Sequence, residues 1–292
     1  MADEGQELTL LDRLGSLDRR IVFSLIALAV IIPLIVHYTT TLHPGAIVQR
    51  LFDKIEDLPP GSKVLLSFDY GPSTVPENQP MATAFARHLF QKGHKVYLMA
   101  LWATGPRQAA KLVDEVILVE FPGKVYGEDY IRLGYKAGNQ GLINALLADF
   151  KAMYTTDVNG ADIDGFPMMN GIKTLRDFDL ILGLGSGFPG TKEWVQFAGD
   201  PGSIPVGGGT TAVMAPLLYP YWPKQMVGFL GGLQGAAEYE SALMHEYPEY
   251  EEKSRVASTS MGPQVSAHLV IVGFIIIGNI TFLVQRRREK KY

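Results

Sequence analysis

The sequence predicts an α/β protein: a mostly parallel sheet flanked by helices, tethered by one N-terminal and one C-terminal transmembrane helix. Three observations carry that expectation. Short apolar runs bounded by turn residues alternate with amphipathic helical patterns, the rhythm of β-α-β units on a parallel sheet. An apolar run from Val265 to Val284 is long enough to cross a bilayer, and Arg286, Arg287, Arg288, Lys290 and Lys291 follow it at once. A second apolar run, Ile21 to His37, stands near the N-terminus.

These divide the chain into a tail over 1–20, a transmembrane helix over 21–38, an α/β domain over 39–264, a second transmembrane helix over 265–285 and a basic tail over 286–292. The leader before Ile21 carries five acids against Arg13, Arg19 and Arg20, and Tyr38 to Pro44 offers no A-x-A-like cleavage site, so the first run reads as an uncleaved anchor. Pro33 kinks that helix without forbidding it. Basic residues beside both spans prefer the cytoplasmic side, which makes the domain extracytoplasmic, and periplasmic where an outer membrane exists.

Along the domain, Ile47, Leu51, Ile55 and Leu58 fall at helical spacing over Ala46 to Leu58, ended by Pro59-Pro60-Gly61. Lys63 to Tyr70 suits a central parallel strand. Thr74 and Glu77 have capping-box spacing before a helix carrying Met81, Phe85 and Leu89, and Gly93 stops it. A strand over Lys95 to Leu101, a short helix from Thr104-Gly105-Pro106 and a third strand over Glu115 to Glu120 follow. The rhythm breaks from Phe121 to Gly171, read as an insertion at about 121–171 with one helix over Leu142 to Tyr154. It resumes with a helix over Lys173 to Phe178, a strand over Leu180 to Leu184, a helix over Lys192 to Ala198, a short strand near Ile204 to Val206 and a helix from Thr211 to about Leu218. The sum is a layered α/β domain of Rossmann-like or flavodoxin-like kind. No repeat of solenoid or propeller length is present.

Charge and composition exclude several chemistries. The stretch 39–264 holds 24 of the 30 acids but 18 of the 26 lysines and arginines, the wrong sign for gripping a phosphate backbone, so nucleic acid is not an expected partner. With no cysteine there are no disulfides, thiolate metal sites or thiol nucleophiles. The six histidines show no H-E-x-x-H, and neither a metal nor another cofactor is expected. Asp157, Asn159, Asp162 and Asp164 miss the calcium-loop spacing and read as an acidic turn.

Two glycine loops are the candidate site. Gly185, Gly187 and Gly190 match G-x-G-x-x-G between a strand and a helix, where backbone N–H groups favour an anion. Pro189 removes one donor, and no acid ends the next strand to hold a ribose. The second loop, Gly207-Gly208-Gly209-Thr210-Thr211, offers hydroxyls or simply turns a corner. Because ligands bind beyond the carboxyl ends of strands in open α/β sheets, Asp69, Glu120, Gly185, Ser186, Gly187, Gly208, Gly209, Thr210 and Thr211 form one candidate rim. Ser186 fails the G-x-S-x-G spacing, and no catalytic set is recognisable. Phe166, Pro167, Met168 and Met169 read as an exposed contact patch, and Asn279 as a helix–helix contact. The expected function is a binding or scaffold subunit of a membrane assembly, partnered by the bilayer and by another membrane protein or a second copy. The alternative is a membrane-held small-ligand binder or enzyme using the glycine loops.

Overall fold

A computed structural model describes residues 18–36, 42–251, 253 and 255–289. The rest of the expected N-terminal tail, and Lys290 and Lys291 of the basic block, lie outside the described residues. The chain forms two compact units, one over 41–258 and one made of the two terminal segments. In the terminal unit, α1 (Arg19–Val36) is long and apolar enough to cross a membrane, and none of its side chains is buried. The long C-terminal helix Val256–Glu289 contains the second such stretch. Within it Asn279 donates its side-chain amide to the carbonyl of Ile275 at 2.9 Å.

The other unit is built on a six-stranded, all-parallel sheet of order β3-β2-β1-β4-β5-β6. Helix α2 (Ala46–Glu56) leads into β1 (Lys63–Asp69), α3 (Val75–Gln91) and β2 (Lys95–Ala100). Helix α4 (Gly105–Leu112) runs on through a wide turn, Val113–Ile117, and a last turn, Leu118–Glu120. Then come β3 (Tyr130–Tyr135), α5 (Asn139–Ala148), α6 (Phe150–Met153), β4 (Leu180–Gly185) and α7 (Thr191–Trp194), which continues through Val195–Gly199. Strands β5 (Val206–Thr210) and β6 (Phe229–Gly231) and helix α8 (Gly232–Glu246) complete the domain; the helix Val256–Glu289 is α9.

The sheet is buried on both faces, as parallel sheets are. Helix α8 packs on α3 and α2 on one face. On the other, Leu65, Tyr97, Ile131, Leu146, Trp194 and Val195 share one apolar cluster. A buried polar contact ties the first face together. His88 of α3 is fully buried, with Nδ1 2.6 Å from the Tyr239 hydroxyl of α8 and Nε2 2.6 Å from Glu56 of α2. Burial, opposed by Glu56, pushes the imidazole down to about 4, so it is neutral at pH 7.

Several expectations are corrected. Glu115 to Glu120 is helical, because Leu112, Val113, Val116 and Ile117 are buried at helical spacing while Leu118 and Val119 are exposed. The third strand is instead Tyr130–Tyr135, so the stretch 121–171 contains a sheet strand as well as irregular structure. Thr74 makes no side-chain cap; Glu77 reaches away and accepts the backbone N–H of Ala212 at 2.8 Å. Thr211 to Leu218 is a set of turns with one short 3-10 segment, Ala215–Leu217, rather than a helix. Met168 and Met169 are buried, so 166–169 is not the exposed patch.

Candidate functional site

The strand order is that of the doubly wound dinucleotide-binding sheet, whose ligand crevice lies where the order reverses, here between β1 and β4. Asp69 and Gly185 are register partners at its lip. Of the nine candidate residues, this lip gathers Asp69, Gly185, Ser186, Gly187 and Thr210. The Ser186 N–H donates to the Asp69 carbonyl at 3.1 Å, and Thr210 Oγ1 donates to the Gly185 carbonyl at 2.7 Å.

Glu120 is elsewhere. Helix α3 leaves the carboxyl end of β1 and runs back along the sheet, so Arg87 in its last turns lies toward the amino ends of the strands. Glu120 pairs with Arg87 through two bonds, at 3.0 and 2.7 Å, and is removed from the rim.

The second glycine loop is not a loop. Gly207 to Thr210 is strand β5, and the glycines are there for close packing. A Cβ on Gly209 would lie 2.4 Å from the Met81 sulfur of α3, and one on Gly208 would lie 2.0 Å from the Gly183 carbonyl of β4. Thr191 fastens the same layer, its hydroxyl lying 3.0 Å from the Gly183 carbonyl and 2.8 Å from that of Gly209. Thr211 is buried, and its hydroxyl has no hydrogen-bond partner among the described residues.

What fills the crevice is the protein itself. Asp69 is fully buried and accepts Ser67 Oγ at 2.7 Å, the Leu101 N–H at 2.7 Å and Trp194 Nε1 at 2.8 Å. Burial, helped by the nearby Glu193 and opposed by these three donors, pushes its carboxyl up to about 7. A carboxyl near neutrality suits proton transfer, but this one has both oxygens engaged and no exposure. It ties β1, β2 and α7 together.

The glycine loop after β4 is closed in the same way. Glu193, also buried, accepts the Gly190 N–H at 2.8 Å, the donor an anion would have used. Trp102 lies over the loop: its indole donates to the Pro189 carbonyl at 2.7 Å, and a Cβ on Gly187 would lie 3.0 Å from its ring. The recess left beside Gly185, Gly187 and Thr210 has a volume of about 50 Å³, room for little more than water.

Trp102, Glu193 and Trp194 were not among the sequence-derived candidates, yet they decide what this crevice can hold. Larger openings lie away from it. One of about 550 Å³ sits at the β6 edge beside Tyr219, Trp222, Phe229 and Glu238. Another, of about 600 Å³, lies toward the amino ends of the strands, where Arg50, Lys54 and Lys224 are balanced by Asp53, Asp57 and Asp200. The acidic turn closes on itself, Asp157 accepting the Asn159 and Ala161 N–H groups at 2.8 and 2.9 Å. Among the described residues no group of three or more acids or histidines is placed to hold a metal ion.

Comparison with protein-family models, curated proteins and solved structures finds no match to this chain.

Proposed function

We propose that the protein is a two-pass membrane subunit whose α/β domain works outside the cytoplasm as a binding or scaffold element of a larger membrane assembly. The observation that carries this reading is the closed crevice. The position where doubly wound sheets take a substrate or nucleotide is occupied by Asp69, Trp102, Glu193 and Trp194, which bond to one another's loops. The two apolar terminal helices supply the membrane attachment, and the basic block behind the second sets the orientation.

Extraction from native membranes in mild detergent, followed by native mass spectrometry, tests the assembly. The expected species is heavier than the 32.1 kDa chain and contains defined partner chains or copies. A single chain carrying a small metabolite would overturn the reading. Orientation is tested by an export-dependent phosphatase fused after Lys253 or after Tyr292. Activity is expected only from the first, and activity only from the second would reverse the topology.

A further inference from the structure

The loops after β4 and β5 leave large apolar side chains in the open at the carboxyl end of the sheet. Val213 is 84% exposed, Phe188 58%, Tyr219 55% and Leu217 49%. Phe188 and Leu217 border the same small recess, so the two loops contribute to one rim. The segment Ala212 to Pro223 holds no charged residue and carries Tyr219, Tyr221 and Trp222.

The segment is held in place. Ala212 donates its N–H to Glu77 at 2.8 Å, the Met214 and Ala215 N–H groups both bond the Thr211 carbonyl at 3.0 Å, and Leu218 is buried beneath. Its apolar side chains are therefore presented by a fixed backbone, at a cost that folding alone does not explain.

The place where the chain enters the domain is close by. Gly45 donates its N–H to Glu238 of α8 at 2.9 Å, and Gly45 to Val48 line one opening together with Tyr219 and Trp222. The chain leaves from the same helix, where Glu240 accepts the N–H groups of Ala257 and Ser258 at 3.1 and 2.9 Å.

We propose that the rim formed by Phe188, Val213, Leu217 and Tyr219 is a membrane-contact surface that lies in the lipid interface. It rests on the reading that α1 and α9 cross a bilayer. Aromatic and aliphatic side chains partition into the headgroup boundary, where a ring can bury its body and keep its hydroxyl wet. Because the segment is uncharged, the contact needs no anionic lipid, and a phosphatidylcholine bilayer suffices.

The chain has no cysteine, so single sites can be labelled in the full-length protein. An environment-sensitive nitrobenzoxadiazole dye is placed at Val213→Cys, Leu217→Cys, Glu115→Cys and Leu28→Cys in phosphatidylcholine nanodiscs. The two rim dyes are expected to emit to the blue of the Glu115→Cys dye and to be quenched by lipids spin-labelled near the headgroup. The Leu28→Cys dye, within α1, is expected to be quenched by lipids labelled deep in the chain. Quenching at Leu28→Cys with both rim dyes in water would overturn the contact while leaving the anchors standing. No quenching at any site would overturn both. Rim dyes that emit to the blue yet escape lipid quenching would show a protein surface there, a second copy or a partner, and would also overturn it.

Discussion

Two regions at the same end of the sheet treat their large side chains in opposite ways. Around the β1–β4 crevice, Trp102 and Trp194 each give their indole N–H to a defined acceptor, and the two buried carboxylates, Asp69 and Glu193, each accept from defined donors. Around the segment after β5, Val213, Leu217 and Tyr219 stand in the open over an equally well-bonded backbone. The difference separates what the domain uses to stay folded from what it offers to its surroundings. In this chain the crevice is part of the core, and the exposed apolar surface lies on the segment after β5 and on Phe188 beside it.

The sharpest way to break that contrast is to remove Trp194. Trp194→Ala takes away a fully buried ring and one donor to Asp69, and should cost about 3–5 kcal/mol in denaturant unfolding of the full chain in detergent. A loss below about 1 kcal/mol would show that the crevice is not core. Trp194→Phe keeps most of the volume but removes the N–H, so its cost should fall to about 1–3 kcal/mol.

Asp69 offers a test through pH. Its carboxyl is raised in the folded state from 3.8 to about 7, so the folded chain holds a proton that the unfolded chain has released across that window. This group therefore favours folding most below the lower value, and its contribution declines as pH rises toward 7. His88 acts with the opposite sign, since its depressed value makes the fold lose stability as pH falls from 6.5 to about 4. Subtracting the stability profile of Asp69→Asn from that of the parent removes the His88 contribution. The difference should slope downward with rising pH across the Asp69 window; a flat difference would place Asp69 in a more solvated setting.

At the exposed rim the same experiments should find almost nothing. Val213→Ser should change stability by no more than about 0.5 kcal/mol, as surface substitutions do. A cost of 2 kcal/mol or more, about that of a buried side chain, would mean that the rim belongs to the fold.

How much of this was legible in the sequence follows from the range of the interactions involved. Strands β1, β2 and β4 are continuous apolar runs between turn residues, and α3 shows its helical spacing, so local pattern located them. Strand β3 was hidden behind Val116-Ile117-Leu118-Val119, an apolar run that folds as helix because only part of it finds the core. Strand β5 was hidden by its glycines, which resemble a turn but let α3 pack against bare backbone. Strand β6 has three residues, too few to carry a periodicity.

The candidate rim was legible in its glycines and in Asp69, which sit at strand ends. Its closure was not, because the Asp69–Trp194 bond joins residues 125 apart and the Trp102–Pro189 bond residues 87 apart. One cue was available. A chain with only three tryptophans places two of them just after strand ends or in the helix that follows, where an open ligand crevice would have little room for them.

The most direct test of the closed crevice is amide hydrogen exchange on the full-length protein in nanodiscs. Leu101, Ser186 and Gly190 donate their N–H groups to Asp69, to the Asp69 carbonyl and to Glu193. If the crevice is core, these amides should exchange as slowly as those of β1 and β4, through openings close to global unfolding. Exchange at the pace of an exposed loop would show a crevice that opens on its own, and would contradict the account.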